Sequence, residues 1–317
     1  MKDEAPDLSI IIVSWNVSDY LDRCLASVYA NVGPCTKEVI VVDNASSDGS
    51  ADLVAGKYKD ARLVVNDENL GFAKACNQGI VLSRGKYILL LNPDTVLGEG
   101  FGKVMDFISG REDAGVVGCR MVGTDGKDNM SYQSFPTVLR VFTFFTGLNR
   151  AIKRPGVLKA LQPVIRLIPS QARHLESLDS VAEVDSVIGA FFMFRRELTD
   201  RIGLLDENYF LYFEETDFCL KAMRAGYKNY FFPGYKALHA GGKSAEKASY
   251  DSIRHYARSL GYYFRKNHSY GKYLLVRGTL CVAVALRAAV SGMMYFFNDR
   301  ARDDLAVYSR LMAEILR

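Results

Sequence analysis

The stretch YILLLNPD, Tyr87 to Asp94, narrows the folds open to this chain. Five apolar residues, Tyr87 to Leu91, run without alternation. A strand with one wet face alternates; a strand buried on both faces, as inside a parallel sheet, does not. Pro93 cannot donate to a central ladder, so the strand is predicted to stop there. The stop leaves Asp94 at the carboxyl end of a core strand, the edge where open α/β sheets take ligands. An oxygen ligand at that edge can hold a hard divalent cation against a diphosphate.

Two further runs end the same way. Leu8 to Val13 leads into Ser14-Trp15-Asn16, and Glu38 to Val42 leads into Asp43-Asn44. Ala61 to Val65, Ala114 to Cys119, Val184 to Phe194 and Tyr227 to Phe232 are also predicted as strands. Pro233-Gly234 follows the last of them. Helical spacing lies between the strands. Ser18 and Asp19 are candidate caps of a helix with Tyr20, Leu21, Cys24, Leu25 and Val28 at apolar positions. Ser46, Ser47 and Asp48 precede a helix predicted near Gly49. Asn69 to Phe72 opens another, to about Ser83, and the second half of Asp206 to Ala225 reads as a third. This alternation predicts an α/β, Rossmann-like fold: a mostly parallel, doubly wound central sheet flanked by helices.

The 317 residues, 49% of them hydrophobic, are enough for one large domain or two small ones. The six cysteines form no Cys-x-x-Cys pair, so neither structural zinc nor a disulfide framework is expected. The N-terminal MKDEAPDLS is acidic and runs straight into a strand, so no signal peptide is expected. The net charge of +4 is modest but unevenly placed. Residues 129–175 contain no Asp or Glu and seven Lys or Arg, interleaved with apolar residues, and so do residues 252–298. That mixture fits helices lying in an anionic interface, in preference to the alternative of amphipathic helices packed on a domain with a basic outer face. A true membrane span within 273–297 is disfavoured, because Arg287 near its centre costs about 2.5–3.5 kcal/mol. Nucleic acid is the other common polyanion, but no nucleic-acid motif is present.

Five places carry residues suited to chemistry. Asp43, at a strand end, can accept from the ring N–H of a pyrimidine, or cap the next helix. Gly71 allows a close backbone approach at a helix start, where phosphate is attracted. Lys74 and Asn77 follow within two turns. Asp94 is either a ligand or a turn aspartate. Glu214, Glu215 and Asp217 put three carboxylates in four residues, directly after the aromatic run Tyr209 to Phe213. A helix N-terminus welcomes acids. Crowding and partial burial would also raise a pKa, as a general base requires. His239 is either polar surface or, with Asp94, a metal ligand.

Taken in order, SIIIVSWN, VVDNASSDGS, NLGFAKACNQG, LLLNPDT, GAFFMFRRE, GLLDENYFLYFEETDFCLKAMRAGY and LHAGGKS resemble the inverting glycosyltransferases of the large family 2, which have the GT-A fold. The resemblance covers roughly residues 8–242 and is nearest to the rhamnosyltransferase-like enzymes of bacterial polysaccharide assembly. It implies a nucleotide-sugar site made of Ser14, Asn16, Asp43, Gly71, Lys74, Asn77, Asn92 and Asp94. Ser14 and Asp43 would hold the base; Gly71, Lys74 and Asn77 would line the sugar diphosphate. Asp94 would be the metal-binding member of the DXD motif, with His239 completing a site for Mg2+ or Mn2+. Asn92 stands where the first aspartate of that motif often is. The base would be Glu215, with Asp217 as second choice.

The resemblance further implies transfer of L-rhamnose from dTDP-rhamnose, or of another UDP- or GDP-sugar. The acceptor would be a polyprenyl-diphosphate-linked saccharide at the inner face of the bacterial plasma membrane. Residues 1–242 would be the catalytic domain, with 129–175 a basic, apolar insertion for acceptor or membrane. Residues 243–317 would be an amphipathic helical extension that associates with the membrane and offers a surface for oligomerisation. A nucleotidyltransferase would carry a Gly-rich phosphate loop after the first strand, and SWNVSD is not one. A non-catalytic membrane-binding protein would have no need of FEETD or Lys74.

Overall fold

The computed structural model describes residues 5–33, 35–146, 179–240, 250–295 and 299–316. The chain divides into two compact units, Met1–Ser134 with Glu176–Lys243, and Phe135–Leu175 with Ser244–Arg317. The basic, apolar stretch from Phe135 thus groups with the C-terminal helices. Of the segments read from the sequence, 147–175 and 243–249 lie outside the described residues.

The strands are β1 (Leu8–Ser14), β2 (Lys37–Asp43), β3 (Ala61–Val65), β4 (Tyr87–Leu91), β5 (Thr95–Leu97), β6 (Ala114–Val122), β7 (Tyr132–Gln133), β8 (Ala182–Val184), β9 (Ser186–Val187), β10 (Phe191–Arg195) and β11 (Lys228–His239). The helices of the first unit are α1 (Ser18–Asn31), α2 (Ser50–Lys57), α3 (Phe72–Leu82), α4 (Gly102–Ser109), α6 (Arg196–Ile202) and α7 (Glu214–Arg224). Those of the second are α5 (Val138–Thr146), α8 (Tyr250–Asn267), α9 (Tyr270–Met293) and α10 (Asp299–Leu316).

The central sheet runs β3-β2-β1-β4-β10-β6-β11-β5, with β8 added to β11. β1 is buried at every position and lies parallel between β2 and β4. The register sets Ser14 beside Asp43 and Ile12 beside Leu91, so three carboxyl ends meet at one edge. β10 is antiparallel to β4, so its first residue, Phe191, sits opposite Leu91 at that same edge. The rings of Phe192, Phe194 and Phe218 pack with centroids 5.1–5.9 Å apart, which pins α7 to the sheet. Such pairs contribute about 0.5–1.5 kcal/mol each beyond the area they bury.

Four local expectations change. The strand expected to end at Phe232 continues to His239, because a register shift between Phe232 and Lys236 takes up Pro233 as a bulge. The run Val184 to Phe194 is three short strands, since β8, β9 and β10 pair with β11, β7 and β4 in turn. A three-residue strand, β5, follows Pro93 and was not expected. Ser18 and Asp19 lie inside α1 and do not cap it. Asp48 serves two helix starts instead, accepting from Ser18 N at 2.8 Å and from Ser50 N at 3.1 Å.

In the second unit α9 packs on α5 and α10. By length and composition α9 can cross a membrane, yet its arginines are engaged within the unit. Arg287 donates to Phe145 O at 2.7 Å and to the Tyr308 hydroxyl at 2.8 Å, and Arg277 donates to Ile315 O at 2.9 Å. Leu275, Val282, Leu286, Val290 and Met293 leave an exposed apolar stripe along α9.

Candidate active site

Asn92, Pro93, Asp94 and Thr95 form a β-turn closed by Thr95 N donating to Asn92 O at 3.1 Å, with Pro93 at the favoured second position. The turn feeds β5, whose Thr95 pairs with His239 at the end of β11. Asp94 and His239 are thereby brought together, His239 Nε2 lying 3.2 Å from Asp94 Oδ1, both side chains less than one-fifth exposed. Asn92 contributes through its backbone: its N–H donates to Ala190 O, and its carbonyl accepts from Cys24 Sγ.

At the other end of the edge, Ser14 and Asp43 are buried side by side. Ser14 Oγ and Asp43 Oδ1 have no hydrogen-bond partner among the described residues. Buried polar atoms without partners are rare in proteins, and a ligand's donor and acceptor groups can satisfy them. Trp15, the only tryptophan, is 54% exposed beside them and offers a flat face for stacking. Sequence reasoning passed over it because a single aromatic after a strand carries no pattern. Asn16 is engaged elsewhere: its Oδ1 accepts from Ser47 N at 2.7 Å, and with φ of 54° it forms a joint between two loops.

The start of α3 is held by a web of amides. Asn44 donates to Asn69 Oδ1 and accepts from Asn66 and from Leu70 N. Gly71 has φ of 84°, and a Cβ there would lie 2.6 Å from Phe210 O. The close approach at Gly71 is therefore made by this chain's own backbone. Phe210 O accepts from Phe72 N at 2.7 Å and occupies one of the N-terminal donors expected to meet phosphate. Gly71→Ala is expected to destabilise the fold by roughly 1–3 kcal/mol, read as a lower urea midpoint, since both φ and contact forbid a side chain. Lys74 is exposed and has no ion-pair partner among the described residues. Asn77 corrects the reading that it faces the same anion. It is buried and clamps the Leu205 backbone, accepting from Leu205 N and donating to Leu205 O and Glu207.

The acidic group opens α7 after two residues with left-handed backbones, Tyr212 (φ 70°) and Phe213 (φ 72°). Asp217 is fully buried and accepts from the Tyr209 hydroxyl at 3.4 Å, so it is closed to an acceptor. Glu214 is buried; Glu215 is partly exposed, and Gln133 Nε2 lies 3.4 Å from its Oε1. Glu214 Oε2 and Glu215 Oε2 are buried without a hydrogen-bond partner among the described residues. Burial, and then the charge of Glu215, raises Glu214 well above the ordinary range; burial raises Glu215 as well. Burial favours the neutral form of Glu214 more strongly, which leaves the partly exposed Glu215 as the candidate proton acceptor. A raised folded-state pKa stabilises below the ordinary glutamate value, and that contribution is lost as pH rises through the folded value. Glu214→Gln keeps the donor and removes the charge, so it is expected to raise Tm at pH 8 and leave it unchanged at pH 4.

One segment ties both ends of the site together. Asn129 Nδ2 donates to His239 O at 3.2 Å, and four residues on Gln133 reaches Glu215. A chain extends at most about 3.6 Å per residue, so the backbones of Asn129 and Gln133 lie within about 14 Å of each other. Sequence reasoning missed Asn129 and Gln133, because neither belongs to a charged or periodic pattern.

Asp94 and His239 are a hard oxygen and an imidazole, suited to Mg2+ or Mn2+. No group of three or more His, Cys, Asp or Glu suited to an ion occurs among the described residues. Such ions often take one or two protein ligands and complete their shell with phosphate oxygens and water. The pair fits a metal held jointly with a diphosphate.

The Rossmann-like, mostly parallel sheet flanked by helices, with unpartnered Ser14 and Asp43 and a carboxylate turn at one edge, is the fold of a GT-A glycosyltransferase. Residues 9–203 match the model of glycosyl transferase family 2, and the chain belongs to that family. It is 25% identical, over 89% of its own length and 91% of the relative's, to the N-acetylglucosaminyl-diphospho-decaprenol L-rhamnosyltransferase of Mycobacterium tuberculosis. Among solved structures it resembles the mannosyltransferase PcManGT of Pyrobaculum calidifontis in complex with GDP-Man and Mn2+. The TM-score is 0.55 and the identity 18%, over 98% of this chain and 86% of that one. It also resembles GalNAc-T7 with UDP, GalNAc and Mn2+, with TM-score 0.52 and 14% identity, over 83% of this chain and 50% of that one.

Proposed function

We propose that this glycosyltransferase moves L-rhamnose from dTDP-rhamnose to a polyprenyl-diphosphate-linked saccharide at the cytoplasmic face of a bacterial plasma membrane, with inversion at the anomeric carbon. The observation that carries the reaction type is the carboxylate of Glu215, beside the buried Glu214 and tied through the Asn129–Gln133 segment to the Asp94–His239 pair. Donor and acceptor classes are supported by the mycobacterial relative, which aligns over nine-tenths of both chains.

Glu215 takes the proton of the acceptor hydroxyl. The oxygen attacks the anomeric carbon as the bond to the diphosphate breaks, and the nucleoside diphosphate leaves with the bonding pair. Ser14, Asp43 and Trp15 hold and orient the base. Lys74 meets the negative charge that grows on the leaving diphosphate. Asp94 and His239 would hold a divalent ion, which supplies further neutralisation of that charge when bound. Burial holds Glu214 towards its neutral form, which leaves the negative charge to Glu215.

The test is nucleoside diphosphate release from dTDP-rhamnose, UDP-sugars and GDP-sugars, each with a synthetic polyprenyl-diphosphate-linked acceptor and Mn2+. Release from dTDP-rhamnose that depends on acceptor is expected. Transfer only from a UDP- or GDP-sugar would overturn the donor assignment, and no transfer from any donor would overturn the acceptor class.

A further inference from the structure

The second unit contains a cavity of about 270 Å³ that the catalytic chemistry does not use. α8 lines it with Arg254, Arg258 and Arg265, α9 with Tyr273 and Arg277, and α10 with Glu314. The three arginines of α8 share one helix face, and Gly261 between them leaves open space where a side chain would stand.

The charges do not balance. Among the described residues four guanidiniums line the cavity with one carboxylate, Glu314, and a second, Asp251, lies 3.5 Å from Arg254 NH2 outside the lining. Glu314 lies 3.1 Å from Arg258 Nε and 3.7 Å from Arg254 NH1. Arg254 Nε is out of solvent with no hydrogen-bond partner among the described residues. Arg265 has no carboxylate partner among the described residues. Arg277 uses Nε on Ile315 O and directs NH1 to the Tyr273 hydroxyl at 3.5 Å. Clustered like charges repel, and a buried donor without an acceptor costs stability. A polyanion in the cavity offsets both, and planar guanidiniums match the oxygens of phosphate. The cavity is smaller than the roughly 300–1,000 Å³ of ordinary small-molecule pockets, so it suits a phosphate or diphosphate group rather than a whole nucleotide sugar.

We propose that this arginine cavity is a phosphate-binding site, separate from the donor site, and that Glu314 occupies it as an internal competitor. The phosphate belongs either to a lipid headgroup or to a soluble phosphate compound.

The test uses the full chain in EDTA at fixed ionic strength, with three proteins: wild type, Arg258→Ala/Arg265→Ala, and Glu314→Gln. Calorimetric titration with inorganic pyrophosphate reads the soluble source. Co-sedimentation with phosphatidylglycerol vesicles, against phosphatidylcholine vesicles, reads the lipid source. With whichever probe binds, the double arginine variant is expected to bind about tenfold or more weakly, because two charge-assisted contacts are lost. Glu314→Gln is expected to bind more tightly, a gain that a purely structural role for Glu314 would not give. Equal binding by all three proteins overturns the proposal, as does failure of wild type to bind either probe. Asp94 and Glu215 stay intact and turnover is not the readout, so failure here and failure of the catalytic assignment are distinct results.

Discussion

Glu215→Gln is expected to reduce sugar transfer by about 10²–10⁴-fold, the usual contribution of a positioned general base. The substitution is nearly isosteric. Gln133 can still approach the side-chain oxygen. Donor binding, measured by thermal shift with the nucleotide sugar, is therefore expected to stay within a few-fold of wild type. A loss of kcat with binding intact identifies a group that acts in the transition state. Burial raises Glu215, so the acidic limb of the wild-type pH–rate profile should titrate above the ordinary glutamate range. Undiminished transfer by the variant would exclude Glu215 as the base.

Asp94→Asn is expected to have the second-largest effect, about 10²–10³-fold on kcat/KM, equivalent to the several kcal/mol of charge stabilisation a bound ion supplies. It leaves the turn intact, because Pro93 and the backbone bond from Thr95 to Asn92 hold it. It also leaves His239 as the one candidate protein ligand of the pair. Titration with Mn2+ should show a weaker activation midpoint in the variant, and EDTA should reduce wild type towards the variant's rate. Wild-type activity that is indifferent to EDTA would remove the metal assignment and leave charge neutralisation to Lys74.

How much of this was legible in the sequence differs from residue to residue. Ser14, Asp43 and Asp94 stand out because a strand buried on both faces announces its own end, and the polar residues at or just beyond that end lie at the ligand edge. Their alignment follows from parallel pairing of β1 with β2 and β4. The meeting of Asp94 with His239 was not derivable from local pattern. It depends on a three-residue edge strand and on β11 running past Pro233, where propensity alone argues for a stop. Asn77 misleads because a polar residue early in a helix looks alike whether it faces a ligand or clamps a distant loop; Leu205 decides it. Helix phase does not decide between Glu215 and Asp217, since Glu215 stands three and four residues before the buried Phe218 and Cys219. The choice turns on tertiary packing: Asp217 is fully buried against the Tyr209 hydroxyl, and Glu215 is partly exposed. Gln133 and Asn129 carry no signal in the sequence, since their importance lies wholly in what they touch.

The central claim is a single displacement assisted by Glu215. The most direct measurement is the anomeric configuration of the product, read by NMR from the one-bond carbon–hydrogen coupling of the newly transferred sugar. The expected result is a configuration opposite to that of the nucleotide-sugar donor. Retention of the donor's configuration would require a second displacement and a nucleophile, and would contradict the role assigned to Glu215.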